Sequence, residues 1–525
     1  MTTARRVALL TLCALAALLP LNGLTAGRAQ PPAAITIGTT DLPRSLDPGD
    51  TVDLAAWEVL SHLYTGLTRQ VPGSTEYELA LASNVTISDD GLTYTFTLRR
   101  DAAFADGTPI TAEDFVASIE RVLALRRPAA DAVEPYVAQV AADDAGRLTF
   151  TLKRPVPYFL ALLALPPYYA VHPTLAGSDR PDPFARLGLI GSGPYRLERY
   201  EVGRAIVLTE NDAFRFGPLP VTPRIELRQF AFARDLREAL RRREVDLAWR
   251  ALAPADLDRL AAVAGIEQYT APGTRAYYLV MNQRREPTDD PLVREAIIRL
   301  LEREEAAAQV FGGQLAPLTS LVPDLFPEAY APLWPDEPDV PAAEAVLRAA
   351  GYSHRGTSRL SFSLTTSRYL YGDRLVAGLR QLIRASFRGT NFVLGSVRGE
   401  VVGGDFMRDV RSGTLSAAVI GWTPLVPHPL AYLEPLAHSR EPIPSANGYA
   451  SPALDALLDE AVSSRDPARL RAIYTELAQT LLDDYALAPL WQDSHILAAW
   501  GDVTGILIEP NGLLHYDRLG RTGQP

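Results

Sequence analysis

Apolar residues recur along this chain at two spacings, and the switching between them is its main structural signal. At 93–98 the spacing is two: Tyr94, Phe96 and Leu98 share one face and Thr93, Thr95 and Thr97 the other, which predicts a half-exposed strand. At 54–63 the apolar positions 54, 55, 59, 60 and 63 follow a helical period. Thr111 with Asp114 three residues on predicts a capped helix start, with a hydroxyl to accept free N–H groups and an acid favoured by the helix dipole. Phe115, Ile119 and Val122 then form its buried stripe. Further strands are predicted at 35–38, 196–199, 205–208, 277–281, 359–365, 416–421 and 488–491. Further helices are predicted at 233–243, from Val293 after Asp290-Pro291, at 342–350 before Gly351, and at 375–386, 451–463 and 467–485. Helices and strands interleaved in this way imply mixed α/β domains.

With 525 residues the chain exceeds one hydrophobic core and divides into two or more domains. A net charge of −11 argues against a nucleic-acid partner, which would need basic patches. Lys153 is the only lysine; arginine stands everywhere instead, which reflects base composition and marks no site. At the N-terminus Arg5-Arg6 precede an apolar run at 7–21, the length of a secretory signal and short for a membrane span. Cleavage is expected after Ala29, with Thr25 and Ala26 as alternatives, so that 1–29 is a signal peptide. The rest of a twin-arginine motif is missing, which points to general secretion. Cys13 lies inside the apolar run behind Leu12 and not at a lipobox position. The mature chain is then free of cysteine, with no disulfide, thiol nucleophile or thiolate metal site. These features together lead to the expectation of a soluble periplasmic protein with no lipid anchor.

Several short stretches fall in a telling order over nearly the whole mature chain. They are Leu46-Asp47-Pro48, Leu63-Tyr64-Thr65-Gly66-Leu67, Asp106-Gly107-Thr108-Pro109 with Ala112-Glu113-Asp114, Gly191 to Tyr195, Val245-Asp246, Asn282 and Val293-Arg294-Glu295-Ala296. Later come Ala349-Ala350-Gly351-Tyr352, Gly421-Trp422, Tyr449 to Leu458 and Pro489-Leu490-Trp491. This order resembles the family 5 extracytoplasmic solute-binding proteins of ABC importers, which include oligopeptide-, dipeptide- and nickel-binding members. The resemblance implies a periplasmic-binding-protein-like α/β fold: two large lobes joined by a two-crossing hinge, plus an inserted extra lobe. Mapped here, lobe I is 31–64, 187–275 and 490–525, lobe II is 65–186 and lobe III is 276–489. It further implies a monomer without catalytic residues, metal or cofactor. Such a protein hands a small-molecule or peptide ligand to an inner-membrane ABC permease driven by a separate ATPase.

The departures from the family pattern concern the ligand. Where many peptide-binding relatives carry Gly-Asp-Tyr-Pro-Asp-Pro after the tryptophan, this chain reads Thr423-Pro424-Leu425-Val426-Pro427-His428-Pro429. The acid that pairs with a peptide's α-amino group falls on Leu425. An unpaired buried ammonium costs about several kcal/mol, and leucine cannot offset it. Ser386-Phe387-Arg388 likewise replaces a usual Gly-Ile pair, and the strand at 416–419 lacks an acid often present there. Either another acid, Asp53 or Asp41, takes the amine, or the ligand is not a free-amine peptide.

The ligand-facing residues implied by the resemblance are Trp422, Leu425 and Val426, the loop Val52-Asp53-Leu54, and Tyr136 and Tyr449. Each has a plainer alternative. Trp422 could be core, Asp53 could cap the following helix, and tyrosines are often half-buried without touching a ligand. Asp47, Asp106, Glu113 and Asp114 read as turn and cap residues. Gly191 to Tyr195 lacks the phosphate-loop lysine and the dinucleotide spacing. The seven histidines show no pair at metal-ligand spacing; His428 lies near the expected cleft. Two rival functions stay open: a ligand sensor or chaperone-like protein, and an exported hydrolase. The chain has no Gly-x-Ser-x-Gly elbow and no His-Glu-x-x-His motif to support the latter.

Overall fold

The computed structural model describes residues 34–180, 188–250, 252–352, 364–367, 373–386, 388, 397–400 and 403–523. The expected signal peptide at 1–29, the expected boundary at 187, Phe387 and most of the strand expected at 359–365 lie outside these residues.

One mixed sheet runs through both large parts of the molecule. Its strand order is Val397–Glu400, Leu364–Ser367, Ala417–Trp422, Ile266–Met281, Leu487–Trp500, Leu247–Trp249, Ala34–Thr39, Arg224–Gln229, Ala205–Glu210 and Tyr195–Glu201. Ala34–Thr39 is parallel to both its neighbours, and Leu364–Ser367 to both of its own. Helix Ala233–Arg241 supplies the crossover between Arg224–Gln229 and Leu247–Trp249.

Two long strands stand at the centre of this sheet, Ile266–Met281 and Leu487–Trp500. The C-terminal part of Leu487–Trp500 pairs with Leu247–Trp249, whereas the C-terminal part of Ile266–Met281 pairs with Ala417–Trp422. Each long strand therefore belongs to both halves. Their mutual register slips between Pro272↔Ser494 and Ala276↔Gln492, so Gly273, Thr274 and Arg275 bulge out opposite Asp493. The amide of Arg275 donates to Asp493 Oδ1 at 3.0 Å and Gln492 Nε2 donates to the Gly273 carbonyl at 3.0 Å. The sequence pattern predicts only 277–281 and 488–491 of these strands. The chain passes Pro272-Gly273 as a bulge and pairing resumes beyond it.

The segment between the first helix and the strand Tyr195–Glu201 builds a separate antiparallel sheet in the order Ala82–Ile87, Thr93–Leu98, Arg147–Leu152, Val137–Ala142. Tyr94, Phe96, Leu148 and Phe150 are buried, and helix Ala112–Leu125 lays Phe115, Ile119 and Val122 into the same core. The capping box is complete: Asp114 N–H donates to Thr111 Oγ1 at 3.3 Å, and Thr111 N–H to Asp114 Oδ2 at 2.8 Å.

Asp47 does more than hold the turn expected of it. Besides accepting the Gly49 N–H at 2.8 Å, it takes both guanidinium nitrogens of Arg121 at 2.8 and 2.7 Å in a buried pair. This fastens the N-terminal segment to the helix of the small sheet. Gly191 and Gly193 are required where they stand, because a Cβ on either would collide with the backbone of His62 and Leu63 at the end of helix Leu54–Leu63.

Candidate functional site

Trp422 ends its strand opposite Ala276, beside the bulge shared by the two long strands. It is half-buried, and its indole N–H donates to the Ala431 carbonyl at 2.9 Å. The loop that follows is tied to the bulge: Arg275 Nε donates to Thr423 Oγ1 at 2.7 Å and the Tyr432 hydroxyl to the Thr274 carbonyl at 2.6 Å. Leu425 is half-buried in this loop. Val426, expected on a cleft wall, lies deeper than Leu425. It has no exposed surface and packs in the core, where burying its side chain is worth about 1.5–3 kcal/mol.

The small sheet's lobe reaches the same loop. The His428 ring lies 5.1 Å from Tyr158, whose ring is 6.3 Å from Tyr136. Burial pushes the His428 imidazole down to about 4. Arg154 donates to Glu434 Oε1 at 2.9 Å, and Arg440 to the same oxygen at 2.6 Å. Tyr136 and the residues after Trp422 thus come to one region, linked by Tyr158, His428, Arg154 and Glu434.

On the sheet's other half, Val52 is exposed and Leu54 half-buried. Asp53 does cap its helix, accepting the Ala55 N–H at 3.0 Å. Burial raises its carboxyl above the usual range; the charge of Asp41 adds to this, and Arg250 and Arg44 oppose it. Asp53 therefore sits in a small field of one further acid and two arginines. Behind it, Glu58 is almost wholly buried and accepts four donors: Trp249 Nε1 at 2.9 Å, Arg250 at 2.8 Å, Leu514 N–H at 2.9 Å and the Tyr516 hydroxyl at 2.5 Å.

Tyr449 is not brought to this region. Its hydroxyl donates to Asp484 Oδ2 at 2.8 Å beside a cavity of about 350 Å³ that Gln283 and Arg294 also line. That cavity lies past the Met281 end of the long strand, roughly 16 Å of strand rise from Ala276. The C-terminal stretch carrying Tyr449 packs on the opposite end of the sheet from Trp422.

Among the described residues, one cluster has metal-ligand composition: His62, His515 and Asp517. Its hydrogen bonds argue for another use. Tyr516 N–H donates to His62 Nε2 at 2.9 Å, so Nδ1 carries the proton and gives it to the Glu58 carbonyl at 2.7 Å. His62 then has no lone pair to offer a metal.

Arg154, Tyr158, Glu434, Glu58 and Arg250 escaped the sequence reading. A signal existed for the two acids: each is the lone acid in a mostly apolar helix, LAAWEVLSHL and LAYLEPLA.

The sequence model for bacterial extracellular solute-binding proteins, family 5, matches residues 76–442. A probable D,D-dipeptide-binding periplasmic protein of Escherichia coli strain K12 is 27% identical over 512 residues, covering 94% of this chain and 95% of the relative. A glutathione-binding protein of Salmonella choleraesuis strain SC-B67 is 25% identical over 487 residues, covering 90% and 91%. The fold matches the unliganded open form of a periplasmic murein tripeptide binding protein with a TM-score of 0.80, at 21% identity, over 94% of this chain and 98% of that one. That match extends over the mixed sheet and the separate antiparallel lobe alike, and the chain belongs to the family 5 bacterial extracellular solute-binding proteins.

Proposed function

We propose that this protein captures a small peptide-like solute between its two large lobes, closes on it by bending at the bulge of Gly273–Arg275 against Asp493, and presents the closed form to an ABC permease. The observation that carries the reading is the pair of long strands, which are the shared spine of both halves and whose pairing is interrupted on either side of Trp422's partner Ala276, at the three-residue bulge before it and again between Tyr277 and Tyr278. A ligand that touches both halves only when they are closed shifts the population toward the closed form. In this reading lobe I is 31–64, 187–275 and 490–525, lobe II is 65–186 and lobe III is 276–489. The protein acts as a periplasmic monomer after removal of a signal peptide, and the permease's own ATPase powers transport.

The ligand touches Trp422 and Leu425 on one side and the Val52–Leu54 loop on the other, with Tyr136 at the seam. Two relatives are named for binding D,D-dipeptides and glutathione, which favours short or modified peptides. Asp53, with Asp41 near it, supplies the negative charge for the ligand's amine that Leu425 cannot.

Native mass spectrometry of the mature protein purified from its own periplasm tests the reading. Calorimetry with D-alanyl-D-alanine, glutathione and their N-acetylated forms follows it. The expected result is a small peptide-like mass and binding that weakens on acetylation. Co-purification of a sugar or lipid, with no heat from any peptide, would overturn the ligand class. Turnover of ester or peptide panels would overturn the binding function itself.

A further inference from the structure

A cavity of about 390 Å³ lies between helix Leu54–Leu63, the segments 64–78 and 164–169 and the stretch 509–518. Trp57, Tyr64, Tyr77, Tyr169, Phe214 and Leu513 form its apolar walls. Its volume falls within the roughly 300–1,000 Å³ typical of small-molecule sites. None of the residues assigned to the cleft beside Trp422 lines it.

Most of the cavity's polar rim is already committed to the protein. Arg69 donates to Glu78 Oε1 at 2.6 Å and to the Phe216 carbonyl at 2.6 Å. Glu509 accepts the Gly73 N–H at 3.0 Å and takes one imidazole nitrogen of His515 at 2.6 Å, while Asp517 takes the other at 3.2 Å. The rim carboxylates are thus spent on cations and amides. Three polar groups of the lining have no hydrogen-bond or ion-pair partner among the described residues: the hydroxyls of Tyr64 and Tyr77, and the exposed guanidinium of Arg518. The one formal charge left to offer a ligand is therefore positive.

We propose that this cavity is a second ligand site, distinct from the interlobe cleft, for a compact aryl carboxylate. The ring fills the aromatic chamber, where face and edge contacts with Trp57, Tyr77 and Tyr169 add to its burial. The carboxylate takes the planar fork of Arg518, whose two parallel N–H groups match it. The Tyr77 hydroxyl gains the partner it lacks. Trp57 also donates its indole N–H to the Thr51 carbonyl at 3.1 Å, just before the Asp53 cap, so the chamber's wall reaches the loop assigned to the cleft.

Isothermal titration calorimetry of the full mature protein with 1-naphthaleneacetate and its neutral isostere 1-naphthaleneacetamide tests the site. The expected result is one site with at least a tenfold preference for the acid. Arg518→Ala, at an exposed position, abolishes that preference, and Tyr77→Phe weakens binding several-fold. Trp422→Ala leaves the acid's affinity unchanged. Equal binding of acid and amide, no binding of either at millimolar concentration, an unaffected Arg518→Ala variant, or loss of binding in Trp422→Ala would each overturn the proposal.

Discussion

Gly273 and Asp493 face each other so closely that a side chain on the first would collide with the carboxylate of the second. That carboxylate also receives the Arg275 amide, so it is not free to step aside. At the bulge the space between the two long strands is filled by one backbone and one short acid.

Gly273→Ala should therefore cost stability of about 1–3 kcal/mol, the usual price of overpacking a fixed site. It should also change ligand affinity if the halves bend here. Thermal denaturation and calorimetry on the same variant separate the two effects. A melting temperature equal to the parent's would show that Asp493 relaxes without loss.

Glu434 is 3% exposed in its side chain and serves Arg154 of the small lobe and Arg440 of its own neighbourhood. Removing a fully buried partner costs about 3–5 kcal/mol, but both arginines are partly in water, which screens the loss. Glu434→Ala is expected to destabilise by about 1–2 kcal/mol, and Arg154→Ala by less. Chemical denaturation of both single variants and the double variant gives the coupling between lobes; additive losses would mean the pair contributes nothing across the seam.

His515 makes stability depend on pH in a defined window. Burial opposes its charge, yet the hydrogen bonds to Asp517 and Glu509 raise it to about 9 in the folded protein, against about 6.5 unfolded. Its contribution, at most about 3 kcal/mol, is whole below pH ~6.5 and is lost as pH rises through about 9. His515→Gln should flatten the stability profile between those limits. Urea midpoints at three pH values across the window, parent against variant, measure it.

Asp53 has two separable duties. Asp53→Asn keeps an oxygen for the Ala55 N–H and should hold helix stability within a few tenths of a kcal/mol, whereas Asp53→Ala loses the cap at about 1 kcal/mol. If the acid holds a ligand amine, both variants should lose at least tenfold in affinity for a free-amine peptide. Asn binding as tightly as Asp would assign the amine elsewhere.

Local chemistry was legible wherever the signal lay within a few residues. The Thr111–Asp114 box, the alternation at Thr93–Leu98 and the Asp290-Pro291 helix start are all in the structure as the pattern predicts. Distant pairing was not legible. Nothing near Asp47 announces Arg121, and nothing near Pro272 announces that its strand continues on the far side of a bulge. Among site residues, Trp422 stands beside the bulge because a strand end is a local feature. The burial of Val426 and the end of the sheet that Tyr449 packs against had no local signal, because both depend on the whole fold.

The acid at the heart of helix Leu54–Leu63 has a consequence for the order of events during biosynthesis. Glu58 and its backbone donor Leu514 are 456 positions apart in sequence. Until residues 514–516 are available, a Glu58 carboxylate buried with this helix would have Trp249 and Arg250 but lack two of its four donors. Full satisfaction of this early helix thus waits for contacts made 456 positions later in the chain.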